Sequence, residues 1–293
     1  MTASGLIDTR RAMLAVRGPD ARTFLQGILT NDVGRLGPET PVYAALLSPQ
    51  GKVLFDMILA WWNDAVLLDA EADRLPDLAR RLALYRLRAK AEIGEMPEIA
   101  VGLLWGADAG AIAEAAGREN PDLRVLPDPR LPDLGYRLYG ARADVEAALA
   151  AAEPATAEDW TRHRLALGVP EAPDDIRADE TFWLEANAAL LNGVDFRKGC
   201  YVGQEVTARM HHKTVLRKRL VPLSFDGGTP EPGTALMAGE KEAGTVTSAL
   251  DGRGIGLVRL DRWEDAETVT ADGLTAHMVA PGWLAPALTG SAA

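Results

Sequence analysis

The chain has one cysteine, Cys200, and it stands in the run Leu191 to Arg209, which is punctuated by Gly193, Gly199 and Gly203. Glycines at that density favour positive φ or a close approach of backbone to another group, as in loops that wrap a ligand. Arg197 and Lys198 precede the cysteine, and cations beside an exposed thiol stabilise its thiolate. Cys200 and Lys198 are therefore the candidate catalytic pair, set against the bland reading of Cys200 as a small buried hydrophobe. A single cysteine builds no internal disulfide and no cysteine-rich cage, so a bound cluster would need ligands from a partner or from small thiols. His211 and His212 are neighbours; on a strand they face opposite sides and do not share a metal, and no metal is expected. A cysteine hydrolase is not supported, because no oxyanion motif or orienting partner accompanies the thiol and the histidines.

The elements that must position this loop are read from periodicity. A helix starts at Pro19, with Phe24, Leu25 and Ile28 on one face, and is expected to end at Asn31–Gly34. Tyr43 to Leu47, the turn Ser48–Pro49–Gln50–Gly51 and Val53 to Trp61 form a hairpin. A strand over Val66 to Leu68 precedes a helix over Asp73 to Arg86 that places Leu75, Leu78, Leu82 and Tyr85 at helical spacing. From Arg86 to Ile93 the pattern alternates charged and apolar, predicting a half-exposed strand. Strands at Val101 to Trp105 and Tyr136 to Tyr139 and helices at Gly110 to Ala116 and Asp144 to Ala152 follow. Ala152–Ala155 reads as a linker, so a boundary falls near residue 155, and Asp159 to Leu167 is a helix closed by Gly168. Short strands at Leu220 to Phe225, Gly244 to Ala249, Gly254 to Leu260 and Thr275 to Val279 predict a small barrel or sandwich. Strands and helices interleave, and the class is mixed α+β.

Composition bounds the function. The chain holds 42 acidic and 31 basic residues, a formal charge of −11, which repels phosphate backbones and disfavours direct nucleic-acid binding. Asp56, Asn63 and Asp64 interrupt the most apolar stretch, so no membrane span is expected. Met1 to Arg11 lacks the apolar run of a secretory signal, and a cytoplasmic protein is the expectation. Two basic runs stand out. Arg80 to Lys90 solvates an exposed helix and strand or forms a docking face; Arg209, Lys213, Arg217, Lys218 and Arg219 meet an anionic tail, an acidic partner, or only water on a strand face.

The run Lys198–Gly199–Cys200–Tyr201–Val202–Gly203–Gln204–Glu205, followed by Ala208–Arg209, resembles the signature of the YgfZ family. That family is related to the folate-dependent aminomethyltransferase of glycine cleavage and to a mitochondrial iron–sulfur assembly factor. Phe24 to Val33 and Ser48 to Val53 are similar to its N-terminal blocks, so the resemblance covers nearly the whole chain. It implies a folate-binding region with ferredoxin-like subdomains around a central opening, spanning 1–220 with a ferredoxin-like unit inserted at about 48–152, and a C-terminal β-barrel at 221–293. It further implies a monomeric tetrahydrofolate-binding accessory factor for iron–sulfur assembly or repair, acting with iron–sulfur proteins or their assembly machinery and indirectly supporting tRNA-modifying iron–sulfur enzymes. A folate-dependent aminomethyltransferase and a non-catalytic scaffold are the alternatives.

A pterin offers adjacent N–H donors that one carboxylate accepts as a two-point pair. Asp32 and Glu185 are the candidate carboxylates, with Asn31 and Asn187 as amide contacts and Tyr43 and Trp183 as stacking platforms. Gly199, Tyr201, Gln204, Glu205 and Arg209 complete the expected folate contacts.

Overall fold

In the computed structural model, which describes residues 2–213 and 216–288, one unit comprises Met1–Ala157 with Leu191–Gln204 and a second comprises Glu158–Leu190 with Glu205–Ala293. The first unit runs β1 (Ser4–Ile7), β2 (Arg11–Arg17), α1 (Ala21–Gln26), β3 (Val42–Leu47), β4 (Val53–Trp62), β5 (Ala65–Glu71), α2 (Leu75–Arg86), β6 (Glu92–Glu95), β7 (Ile99–Trp105), α3 (Ala109–Glu119), β8 (Arg124–Pro127), β9 (Tyr136–Ala141), α4 (Arg142–Leu149) and β10 (Glu153–Pro154). Two five-stranded sheets result, ordered β3-β4-β5-β2-β6 and β10-β1-β7-β9-β8.

Successive side chains of a strand point to opposite faces, and here that period separates two cores. Leu14 and Val16 of β2 and Val66, Leu68 and Ala70 of β5 pack with Leu25, Leu75, Leu78 and Leu82 of the helices. Their neighbours Met13, Ala15, Ala65 and Leu67 pack instead with Val101, Leu126 and Tyr139 of the other sheet. Because β2 is buried on both faces, it reads as a continuous apolar run rather than an alternating one.

The same face carries charge. Asp69 of β5, fully buried, accepts from Arg11 Nε at 2.6 Å, Arg137 Nη1 at 2.7 Å and the Tyr139 hydroxyl at 3.0 Å. Arg137 also donates to Asp128 at 2.9 Å, which holds Arg130. Burial alone would raise the Asp69 and Asp128 carboxyls, but the adjacent guanidiniums outweigh it and hold both below the usual range.

Three expectations are corrected. The first helix stops at Gln26, with Gly27 after it, and Asp32 instead caps a short 3-10 turn over Val33–Arg35 by accepting from Gly34 N. The strand expected from Arg86 begins at Glu92, where β2 offers pairing partners, after a turn in which Leu87 takes φ 48°. The stretch read as a linker holds β10, which pairs in parallel with β1.

In the second unit, α5 (Ala157–Leu167) leads into turns over residues 172–190; α6 (Gln204–Lys213) and then β11 (Lys218–Phe225), β12 (Ala235–Ala238), β13 (Lys241–Leu250), β14 (Arg253–Arg259), α7 (Leu260–Glu264), β15 (Val269–Ala271), β16 (Leu274–Met278) and α8 (Ala285–Leu288) follow. The strands close a barrel in the order β11-β14-β13-β12-β15-β16 around Val221, Leu223, Leu236, Val246 and Val258. Arg164 of α5, donating to Asp175 at 2.6 Å, and Thr247 and Ser248 of β13, each donating to Asp175 at 2.6 Å, tie that helix to the barrel.

Candidate functional site

The cysteine loop is held from below by the block after α1. Thr30, fully buried, donates to Gly193 O at 2.7 Å and accepts from Ala45 N at 2.9 Å, joining the loop to β3. Asn31 donates from Nδ2 to Tyr43 O at 2.7 Å and Asn192 O at 2.6 Å, while its Oδ1 accepts from Asp32 N. Gln26 takes Val33 N at 2.7 Å and donates to Asp32 Oδ1 at 3.0 Å and Lys198 O at 3.3 Å. On the far side of the cysteine, Val202 packs on the helix-side core. Gly203, at φ 83°, lies so close to the hairpin turn that a Cβ there would sit 2.6 Å from Ser48 O. Between these anchors Gly199 and Cys200 are exposed, and among the described residues the thiol has no hydrogen-bond partner. The loop thus presents one thiol to solvent from a backbone pinned at both ends.

Lys198 does not play the expected part. Its ammonium donates to the carbonyls of Gln26 and Leu29, the latter at 2.6 Å, and lies 5.2 Å from the Tyr201 ring centroid. It therefore closes the open end of α1, whose last carbonyls lack helical partners. Burial, opposed by Asp32 and Asp195, brings its pKa down to about 8. A lysine that releases its proton earlier folded than unfolded makes stability rise with pH between about 8 and the ordinary value near 10.4. Lys198→Met is expected to remove that rise, so denaturation midpoints of wild type and variant should diverge as pH increases through this window. Parallel curves would show that the ammonium titrates elsewhere.

Several expected ligand contacts are committed inside the protein. Tyr43 is buried and donates to Asp56 Oδ2 at 3.0 Å, and Trp183 is buried in the core, so neither offers a ring face for stacking. Asn31 and Asn187 spend their amides on the protein. Asp32 uses Oδ1 in the turn and toward Gln26, and among the described residues its Oδ2 has no donor. Tyr201 is buried, Gln204 is half-buried, and Glu205 and Arg209 are exposed on α6. His211 and His212 also lie on α6, not on a strand, with ring centroids 4.6 Å apart edge to face. The side chain of Lys213 lies outside the described residues. Among the described residues, no group of three or more His, Cys, Asp or Glu is placed to hold a metal ion, and no helix is long and apolar enough to cross a membrane.

A second cluster forms in the other unit. Asn187, at φ 63° and buried, donates to Leu220 O at 2.8 Å and accepts from Arg219 Nη1 at 2.6 Å. Leu220 N in turn donates to Glu185 O at 2.8 Å, which brings the turn carrying Glu185 against β11. Arg219 is buried, has no ion pair among the described residues, and its Nε has no hydrogen-bond partner. Burial lowers its pKa from the ordinary arginine value. A buried guanidinium without a carboxylate is costly unless something else meets it.

The fold matches glycine cleavage system aminomethyltransferase T from Bartonella henselae with a TM-score of 0.81 over 95% of this chain and 85% of that one, at 19% identity. The family described as CAF17, C-terminal beta-barrel domain, matches residues 217–286. The molecule is thus a protein of aminomethyltransferase-like fold that carries an exposed thiol on a fixed loop. At the level of sequence it is 34% identical over 268 residues to the human mitochondrial iron–sulfur cluster assembly factor IBA57, covering 85% of this chain and 75% of that protein. The mouse protein is 33% identical, covering 77% of this chain and 67% of its own length, and a homolog from Mycosarcoma maydis is 36% identical, covering 76% and 57%. The chain belongs to the IBA57 family of iron–sulfur cluster assembly factors, in agreement with the YgfZ-type resemblance of its loop. The expectation of a cytoplasmic protein is corrected by the same relatives, which are named as mitochondrial.

Proposed function

We propose that this protein is a folate-binding accessory factor in the assembly or repair of iron–sulfur clusters, with Cys200 as its working thiol. The observation that carries this reading is the exposed cysteine on a loop fixed at both ends, by Thr30 and Lys198 before it and Gly203 after it, which is costly to build for a residue with only a packing role. The names of the relatives support the iron–sulfur part. Cluster ligands beyond Cys200 come from a partner in the assembly machinery, since this chain has no other cysteine. Support of tRNA-modifying enzymes follows indirectly, through the clusters those enzymes need. Cys200→Ser should leave the fold intact and fail to sustain iron–sulfur enzyme activity in cells lacking the wild-type protein; full complementation would remove the thiol from the function.

The folate part is supported by the buried guanidinium of Arg219, whose Nε has no hydrogen-bond partner among the described residues. Arg219 supplies the donor that a pterin carbonyl requires, Glu185 is the carboxylate for its adjacent N–H groups, and Asn187 holds Arg219 in place. Tetrahydrofolate, when bound, supplies a carrier for one-carbon units. Arg219→Met is expected to weaken tetrahydrofolate binding in calorimetric titration by roughly 1.5 to 3 kcal/mol, the size of a hydrogen bond to a charged group, without lowering the unfolding midpoint, because the uncompensated buried charge goes with it. Equal affinity would take Arg219 out of the site, and no binding by either protein would remove folate from the proposal.

A further inference from the structure

We propose that the corner between α2 and β6 is a docking surface for an acidic protein partner whose face holds an apolar recess. The corner shares no residue with the cysteine loop or the Arg219 cluster, and the proposal does not depend on the function assigned to either. Among the described residues only three large hydrophobic side chains are exposed, and two of them, Leu84 at 72% and Leu87 at 86%, stand here. Around them Arg80, Arg81, Arg86, Arg88 and Lys90 are all exposed, and residues 80–90 contain no acid, in a chain whose formal charge is −11. Arg80 pairs with Asp77 and Arg86 turns back to Ala91 O, but Arg81, Arg88 and Lys90 have no ion pair among the described residues.

The backbone adds an independent sign. Leu87 follows the last residue of α2 with φ 48° and ψ −107°, a region that a bulky L-residue enters only against steric resistance. The chain therefore holds a leucine in an unfavourable conformation and places its side chain in water. Neither feature benefits the packing of this unit, whose α2 buries Leu75, Leu78 and Leu82 on the opposite side. Apolar anchors ringed by cations are what an interface with an acidic protein uses: the leucines fill a desolvated pocket and the ring steers the encounter. Nucleic acid fits less well, since the two exposed leucines at the centre would stay uncovered against a phosphate backbone and the chain's formal charge of −11 opposes its approach. A flat anionic bilayer fits less well too, because exposed Glu92 and Glu95 on the adjoining strand would be pressed against it.

The experiment places a benzophenone photo-crosslinker at position 87 of the full chain in its own cells, identifies the linked peptide by mass spectrometry, and then titrates the two purified proteins. The expected partner peptide is rich in Asp and Glu with apolar side chains beside them. Affinity for it should fall at least tenfold with Leu87→Gly, and similarly with Arg81→Glu combined with Arg88→Glu, and the charge-reversed pair should recover when the partner's acids are changed to lysine. Leu87→Gly should keep or raise the unfolding midpoint, since glycine accepts this φ, so lost binding cannot be lost folding. The proposal is overturned by the absence of a linked protein, by a linked protein whose affinity ignores these variants, by a link to RNA or to a second copy of this chain, or by phosphatidylglycerol vesicles that bind wild type and not Leu87→Gly.

Discussion

Asp69→Asn is expected to destabilise the first unit by about 3 to 5 kcal/mol, the cost of removing one partner from a buried ion pair and leaving the other uncompensated. The side chain keeps its size, so the effect is electrostatic. Between the sheets Arg11, Arg130 and Arg137 are balanced by Asp56, Asp69 and Asp128; Arg130 and Arg137 share Asp128, and Asp69 is shared by Arg11 and Arg137 and is the carboxylate nearest Arg11. Asparagine would leave Arg11 and Arg137 facing each other with no charge between them and would turn an acceptor into a possible donor toward them. The sign with pH follows from the direction of the shift. A carboxyl held below its unfolded pKa contributes its stability fully above about pH 3.9 and loses it as pH falls through the lower folded value. Wild type should therefore show a steep loss of stability at acid pH and Asp69→Asn a shallower one from a lower starting point. Denaturant unfolding at a series of pH values checks both; an unchanged midpoint at neutral pH would mean that the pair merely breaks even with its own desolvation.

What the sequence disclosed follows physical range. The hairpin of β3 and β4 was readable because Ser48–Gly51 is a local turn between apolar runs, and α2 because Leu75, Leu78 and Leu82 repeat at the helical period. β2 escaped because a strand buried on both faces lacks alternation, and β12 because four residues carry too little pattern. α6 was not anticipated, and its histidines were weighed only as if on a strand, although Gln204, Glu205, Ala208, Arg209 and Met210 are good helix formers. Within the loop, Gly199 and Gly203 signalled positive φ correctly, at 96° and 83°. The partner of Lys198 was not readable: adjacency suggested Cys200, whereas the ammonium reaches carbonyls at Gln26 and Leu29, far away along the chain. Tyr43 and Trp183 failed as platforms for the same reason, since exposure of an aromatic ring is decided by what the fold lays over it. Arg219 was one of five cations in its run, and only the folded strand shows that it is buried without an acid among the described residues, whereas Arg209, Arg217 and Lys218 are exposed.

Gly203→Ala should separate the position of the thiol from its presence. At φ 83° an L-residue costs roughly 1 to 2 kcal/mol by backbone sterics, but the larger obstacle is contact. The new Cβ would lie 2.6 Å from Ser48 O and 3.0 Å from Leu47 Cβ. Neither can withdraw easily, because Ser48 is fastened in the turn by its bond to Lys52 O at 2.8 Å and Leu47 is in β3. The variant is expected to keep both sheets and the barrel while the loop lifts from the hairpin, taking Val202 off the core. Gly199→Ala provides the comparison, for it has a similar φ of 96° and no atom within 4 Å of its Cβ, so it bears the backbone cost alone. Alkylation of Cys200 should accelerate in Gly203→Ala and change little in Gly199→Ala. In cells the first should fail like Cys200→Ser, despite retaining its thiol, and the second should largely complement. Equal behaviour of the two alanine variants would mean that the close approach at Ser48 does not set the cysteine's position, and that flexibility of the loop rather than its docking matters to the thiol.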